Sequence, residues 1–376
     1  MGLTPDASAK ARRRRRPAGF RPPTGPPTPP PAQIPRHLHR SGPHSLAVSL
    51  PKSWTDTHSL TRGSVVWLHL KDDGRLEVAP TAPEGSGPLG ERVLRVGSHH
   101  FAVPDVLART IFGGYVVGYD RIELSDAQGF DAQRWEEVER TAHTLVGLQV
   151  VFHDAHRVTL QSFLDARRHT VPKILTRAGL LVEEMTRLLG ASIRGDSKVP
   201  LRGLATMEAE SDRLYALALR QLMLAQGDPA LARALDMREP RDLLGARVVG
   251  KVFEEIADLL CRAAPEIEIG LEGDALPDAL RSDLRDHVDT LRTMVRDSIR
   301  ALLKEDTDLA HRVLRLREEG IRALHQTEQL LAEARLPRRQ TAALAIFAWT
   351  IGTARRLCGT VAEVALNESI QSTPTG

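Results

Sequence analysis

A chain of 376 residues, 41% apolar and only 4% aromatic, has room for roughly two or three domains and favours packed helices over a large sheet protein. Its 2 cysteines, Cys261 and Cys358, lie far apart in helix-like apolar contexts, which excludes a disulfide framework or a cysteine metal site and makes a reducing cytoplasm the expected setting. The net charge of +3 is less than the run "RRRRR" at 12–16 supplies alone, so the remainder is close to neutral.

Residues 1–35 are arginine-rich and then proline-rich, a composition that cannot bury enough surface to offset chain entropy, so a disordered tail is expected. Two uses of the arginines stand side by side. They can form a solvated tail, which includes the case of a start placed too far upstream, or a non-specific nucleic-acid arm. "PAGFRPPTGPPTPPP" follows them instead of an apolar segment, which argues against a secretory signal. The run "QTAALAIFAWTIGTA" at 340–354 is shorter than the ~18 residues a spanning helix needs, so no membrane insertion is expected.

Short strands follow over 36–80: "RHLHR", "SLAVSL", "SVVWLHL", a turn at "KDDG", and "RLEVAP". In "SLAVSLPKSW" the apolar alternation of Leu46, Val48 and Leu50 stops at Pro51, which cannot donate to a strand ladder but suits the first turn of a helix. Trp54 is then expected to pack inward one turn later. Lys52 is left facing solvent with Arg36, Arg40, His44 and Arg62. A β unit of about 45 residues is too small to bury its own apolar side chains, so pairing with a second copy, a homodimer, is the physical expectation. The stretch "TAPEGSGPLG" at 81–90 reads as a linker.

Over 91–165 the pattern is strand, helix, strand, helix, strand, strand, which predicts a small α/β (βαβαββ) layer. Its glycines, Gly113, Gly114, Gly118 and Gly147, lack the spacing of a dinucleotide loop and fit close packing and helix ends. From 170 to 367 helical periodicity takes over, with amphipathic segments at 171–193, 200–225, 240–264, 277–304, 306–333 and 338–367. Two sets of three helices follow. The echo between "LLCRAAPEI" and "RLCGTVAEV" supports a duplication. The fold class is therefore α+β and multidomain: a β head, an α/β middle and an all-α C-terminal part.

Two resemblances sharpen this reading. "RHLHRSGPHSLAVSLPKSW" followed by "SLTRGSVVWLHLKDDGRLEVAP" resembles the SpoVT-AbrB domain throughout 36–80. That family implies a dimeric swapped-hairpin β-barrel holding double-stranded DNA, with Arg36, Arg40 and Lys52 as contacts and His44 and Arg62 as weaker ones. Ser64 departs from the acidic residue that often follows the glycine. Residues 170–367, through "EAESDRLY" and "KVFEEIADLL", resemble the PhoU family of phosphate uptake regulators. This implies tandem three-helix bundles, a divalent or iron-type metal ion, and a phosphate transporter ATPase or sensor kinase as partner. The family's E-x-x-x-D positions fall on Glu208 with Asp212 and Glu254 with Asp258, while Glu255 stands where a basic residue is common.

The chemistry of that spacing is simple: carboxylates at i and i+4 share one helix face and repel each other without a cation. The same residues can instead be neutralised by Arg213, Arg247 and Lys251 as ion pairs. The matching positions of the second set, Arg317, Ile321, Trp349 and Thr353, include no carboxylate, so any metal is expected in the first set alone. No catalytic signature appears. The 14 histidines are scattered, and no H-x-x-x-H pair, phosphate loop or nucleophile motif is visible. Three functions remain: a DNA-binding regulator of phosphate homeostasis, a helical adaptor whose β head only dimerises, and a metal-binding protein without a regulatory role.

Overall fold

A computed structural model describes residues 34–40, 46–70, 74–80, 91–97, 105–196, 201–273 and 276–372. His44, the linker at 81–90, "SHHF" at 98–101 and all but the last two residues of the 1–35 tail lie outside the described residues. The architecture is mixed α+β with a large helical C-terminal part. The chain divides into two compact units, one of residues 1–69 and 77–82 and the other of 70–76 and 83–376.

In the first unit β1 (Leu38–Arg40) pairs antiparallel with β2 (Leu46–Val48), with Leu38 opposite Val48 and Arg40 opposite Leu46. Pro51 in an extended conformation caps α1 (Lys52–Thr57), as a residue with fixed φ and no N–H should. Trp54 is half-buried against His58, their rings 5.1 Å apart. β3 (Trp67–Leu70) pairs with β4 (Leu76–Ala79). Among the described residues of the single chain, the four strands form two separate pairs and no closed barrel.

The second unit begins with a four-stranded sheet in the order β5-β6-β8-β7. β5 (Val93–Gly97) runs parallel to β6 (Arg121–Ser125) through α2 (Val106–Val117). α3 (Ala132–His143) leads to the antiparallel hairpin of β7 (Leu148–His153) and β8 (Arg157–Ser162). The alternation in β6 and β8 sends Ile122, Leu124, Val158 and Leu160 under the helices, where they meet Ile111, Tyr115 and Val138 in one core. Gly114 lets α2 approach the sheet: a Cβ there would lie 2.7 Å from a methyl of Leu94.

The helices follow as α4 (Val171–Ile193), α5 (Gly203–Gly227), α6 (Pro229–Ala234), α7 (Pro240–Gly270), α8 (Asp278–Lys304), α9 (Thr307–Glu333) and α10 (Arg338–Ser372). The starts of α6, α7 and α9 are capped by acidic side chains. Glu239 and Asp242 form a capping box ahead of Pro240, and Asp306 accepts the backbone N–H of Leu309. Two departures from periodicity stand out. The stretch "QGDPA", expected to be a break, holds the short α6, whose Asp228 side chain accepts from Ala230 and Leu231. α7 also continues through Pro265, where the sequence suggested an end.

α4, α5 and α7 pack as one set and α8, α9 and α10 as another, and the sets share a single core from Val171 to Ala365. α7 and α10 meet along an antiparallel seam. At one end Gly270 lies under Leu344, and at the other Gly245 lies under Val364 and Glu368. A Cβ at Gly270 would run into the side chain of Leu344, so any larger residue there requires Leu344 to shift.

Candidate metal centre

α5 rises 1.5 Å and turns 100° per residue, so Glu208 and Asp212 stand one above the other on the face turned toward α7. α7 supplies Asp258 opposite them. One carboxylate oxygen from each of the three lies within 4.8 Å of the others. This is the one such cluster among the described residues, and it could hold a metal ion.

The electrostatics follow from the crowding. Burial, and then the charge of Asp258 and a hydrogen bond with it, raise the Glu208 carboxyl above its ordinary value. Asp212 reaches solvent, yet desolvation by its surroundings, followed by Glu208, Glu254 and Asp258, pushes it up to about 7. Three acidic groups that cannot all ionise comfortably together are a hard-oxygen donor set in search of positive charge. A cation can supply it, and so can a proton.

Glu254 does not join the three. Lys251 takes its carboxylate at 2.5 Å, with the ammonium 5.7 Å from the centre of the Tyr215 ring. Asp258 is shared, because Arg262 one turn on reaches it at 2.9 Å. Arg213 pairs with Glu210, at 3.6 Å, and not with Asp212. The spacings K-x-x-E at 251 and 254 and D-x-x-x-R at 258 and 262 were readable in the sequence as helix-face ion pairs. Cys261 borders the group, its thiol pushed up by burial and then by Glu208 and Asp258.

In the second set the corresponding positions carry no acid cluster. Arg317 binds Glu363 at 2.6 Å, and Ile321 and Trp349 are exposed. Polarity is buried elsewhere. His287 Nδ1 faces Arg355 Nη1 at 3.1 Å, which must donate, so Nε2 carries the proton toward the Thr327 hydroxyl at 2.8 Å. Thr327 donates in turn to Asp283 at 2.6 Å. Burial holds His287 below its ordinary pKa, in keeping with that neutral ring. No sequence motif announced this chain, because its members come from three helices.

Of the basic residues of the first unit, Arg36, Arg40, Lys52 and Arg62 are exposed. Arg36 donates to the carbonyl of Pro35 at 3.5 Å, Arg40 ends β1, and Lys52 opens α1. In the same unit Leu38, Leu46, Val48, Trp67 and Leu68 are also exposed. No helix is long and apolar enough to cross a membrane among the described residues. No protein-family model matches the chain, and none of the curated proteins or solved structures compared with it does either.

Proposed function

We propose that this protein is a dimeric DNA-binding regulator of phosphate uptake. The observation that supports it most is the coincidence, in one small unit, of an unburied apolar surface with exposed Arg36, Lys52 and Arg62. Leucines and a tryptophan on both strand pairs need a second copy to cover them. Two copies would double the basic residues on a rigid scaffold, the arrangement that neutralises phosphates on successive turns of a duplex. The link to phosphate rests on the resemblance of 170–367 to the PhoU family. In this reading the helical part receives the signal, with Glu208, Asp212 and Asp258 holding a divalent or iron-type ion.

The test is duplex binding by the full chain to DNA upstream of phosphate-transport genes, against unrelated DNA, from low to moderate salt. Arg40→Ala with Lys52→Ala should weaken binding and flatten its salt dependence, since each lost phosphate contact lowers the slope by about 0.9. Deleting 1–35 should matter less, because Arg40 and Lys52 sit on a paired strand and a helix that can hold their charges in register with phosphates. If only that deletion abolishes binding, the β unit is not the DNA-binding element. A second reading, an adaptor that docks on a transporter or kinase, draws on Ile346 and Trp349, exposed one turn apart on α10. It gains if the full chain ignores every duplex.

A further inference from the structure

A cavity of about 420 Å³ opens where the N-terminal ends of α4 and α7 meet the C-terminal ends of α8 and α10. We propose that it binds an organic ammonium ion with an apolar body. The size is that of small-molecule sites, roughly 300–1,000 Å³. Its floor is apolar, made by Leu175, Ala246, Phe253, Ile299 and Leu302. Its wall is acidic, and the state of each charge decides what the cavity accepts.

Five carboxylates and two guanidinium groups line it. Asp242 is committed to the backbone N–H groups of Arg238 and Glu239, and Glu239 to Arg241 at 2.7 Å. Asp236 and Arg238 are exposed at the mouth. Glu305 caps α8 in a left-handed conformation, and Glu368 projects from α10 half-buried. Among the described residues no hydrogen bond or ion pair holds either carboxylate. Burial, with Asp242 and Glu305 nearby, pushes Glu368 up to about 7, so its charge lacks compensation.

Glycine makes this wall possible. Glu368 Oε1 lies against the backbone of α7 at Gly245, where a Cβ would come within 2.8 Å of it. An excess of acid disfavours phosphate or any other anion. The carboxylates around this cavity also fail to converge as Glu208, Asp212 and Asp258 do, which disfavours a bare metal ion. What fits both is a cation whose charge sits on a donor group of several N–H bonds and whose carbon body covers Phe253 and Ile299. An alkylammonium has both parts.

The probe is n-hexylamine, titrated calorimetrically into the full chain, with n-hexanol as the uncharged match. Hexylamine should bind saturably and about tenfold more tightly than hexanol, a difference of about 1.4 kcal/mol. Glu368→Gln should remove about that tenfold preference and leave hexanol unaffected. Glu305→Gln, at an exposed helix end, should remove a smaller part, and it keeps the test valid if the first variant misfolds. Asp212→Asn should leave the preference for hexylamine over hexanol as it is in wild type. The proposal is overturned if hexylamine gives no saturable heat, if it binds no better than hexanol, or if both glutamine variants bind it as wild type does. An equal loss in Asp212→Asn would also overturn it, by moving the amine to the α5 and α7 carboxylates. None of these outcomes depends on DNA.

Discussion

Arg220 is a charge in the core of α5, only 3% exposed. Its Nη1 donates to the carbonyls of Tyr115 and Tyr119, at 2.5 and 3.0 Å, and the guanidinium covers the Tyr115 ring at 4.9 Å. It thus ties the C-terminal turn of α2 to the helical part. Arg220→Met keeps the bulk but takes its donor from the Tyr119 carbonyl and leaves the Tyr115 carbonyl only the N–H of Gly118, so it should cost about 2–4 kcal/mol in denaturant unfolding. Glu368 makes a pH prediction. Its carboxyl is raised from an ordinary 4.5 to about 7, so the folded chain keeps a proton that the unfolded chain releases. The stability from that group is full below about pH 4.5 and is lost as the pH climbs to about 7. Wild type and Glu368→Gln should therefore differ little in melting temperature near about pH 4.5, and the variant should gain on wild type above about pH 7. A pH-independent difference would contradict the assignment. At this scale legibility depended on sequence distance. The Glu208 and Asp212 pair was visible because i and i+4 fall on one face, and so was Lys251 as a competing cation, while Arg262, which takes Asp258, was missed and Arg213 turns to Glu210 instead. Arg220 with Tyr115 and His287 with Arg355 join residues far apart in sequence, which no periodicity reveals.

Elements were easier to read where one face had to be buried. The long helical segments match α4, α5, α8 and α9 closely at both ends and α7 and α10 at their starts, because leucine and alanine recur at helical spacing over many turns, while α7 and α10 run on past their expected ends to Gly270 and Ser372. In the α/β part the expected order of strands and helices is the order of β5 to β8, since apolar alternation and Gly118 and Gly147, both with positive φ, punctuate it. The misses have local causes. α6 is six residues with no buried face, set by its Asp228 cap and Pro229, which look the same as a turn. At the end of α7 a proline signals a stop, yet Ile267 and Gly270 are buried beyond it, so packing overrides the signal. Pro265 itself is exposed and lacks the N–H that the Cys261 carbonyl would accept. Pro265→Ala should therefore stabilise the protein, by about 1–3 kcal/mol after the entropy regained by the unfolded chain. Thermal unfolding checks it, and a destabilised variant would mean that the ring is needed for a bend in α7.

For the molecule as a whole, the proposed dimer rests on the exposed leucines of the β strands. Sedimentation of the full chain at micromolar concentration should give a dimer, and Leu46→Asp with Leu68→Asp should give a folded monomer. A monomeric wild type would remove the reason for pairing. The succession of short strands, an α/β layer and long helices was legible from composition and period, because each stretch has its own repeat of apolar residues, whereas the grouping of the α/β layer with the helices in one unit was not. The antiparallel seam of α7 and α10 has a different bearing. From Gly245 to Gly270 it runs for about 37 Å at 1.5 Å per residue, and side chains of either set fill the hollows of the other. Neither set can melt without stripping its neighbour of half its lining. Heat should therefore dissolve all the long helices in one cooperative event. A ligand gripped by either set lends its binding free energy to both, so occupancy at one end of the helical part is felt as rigidity at the other.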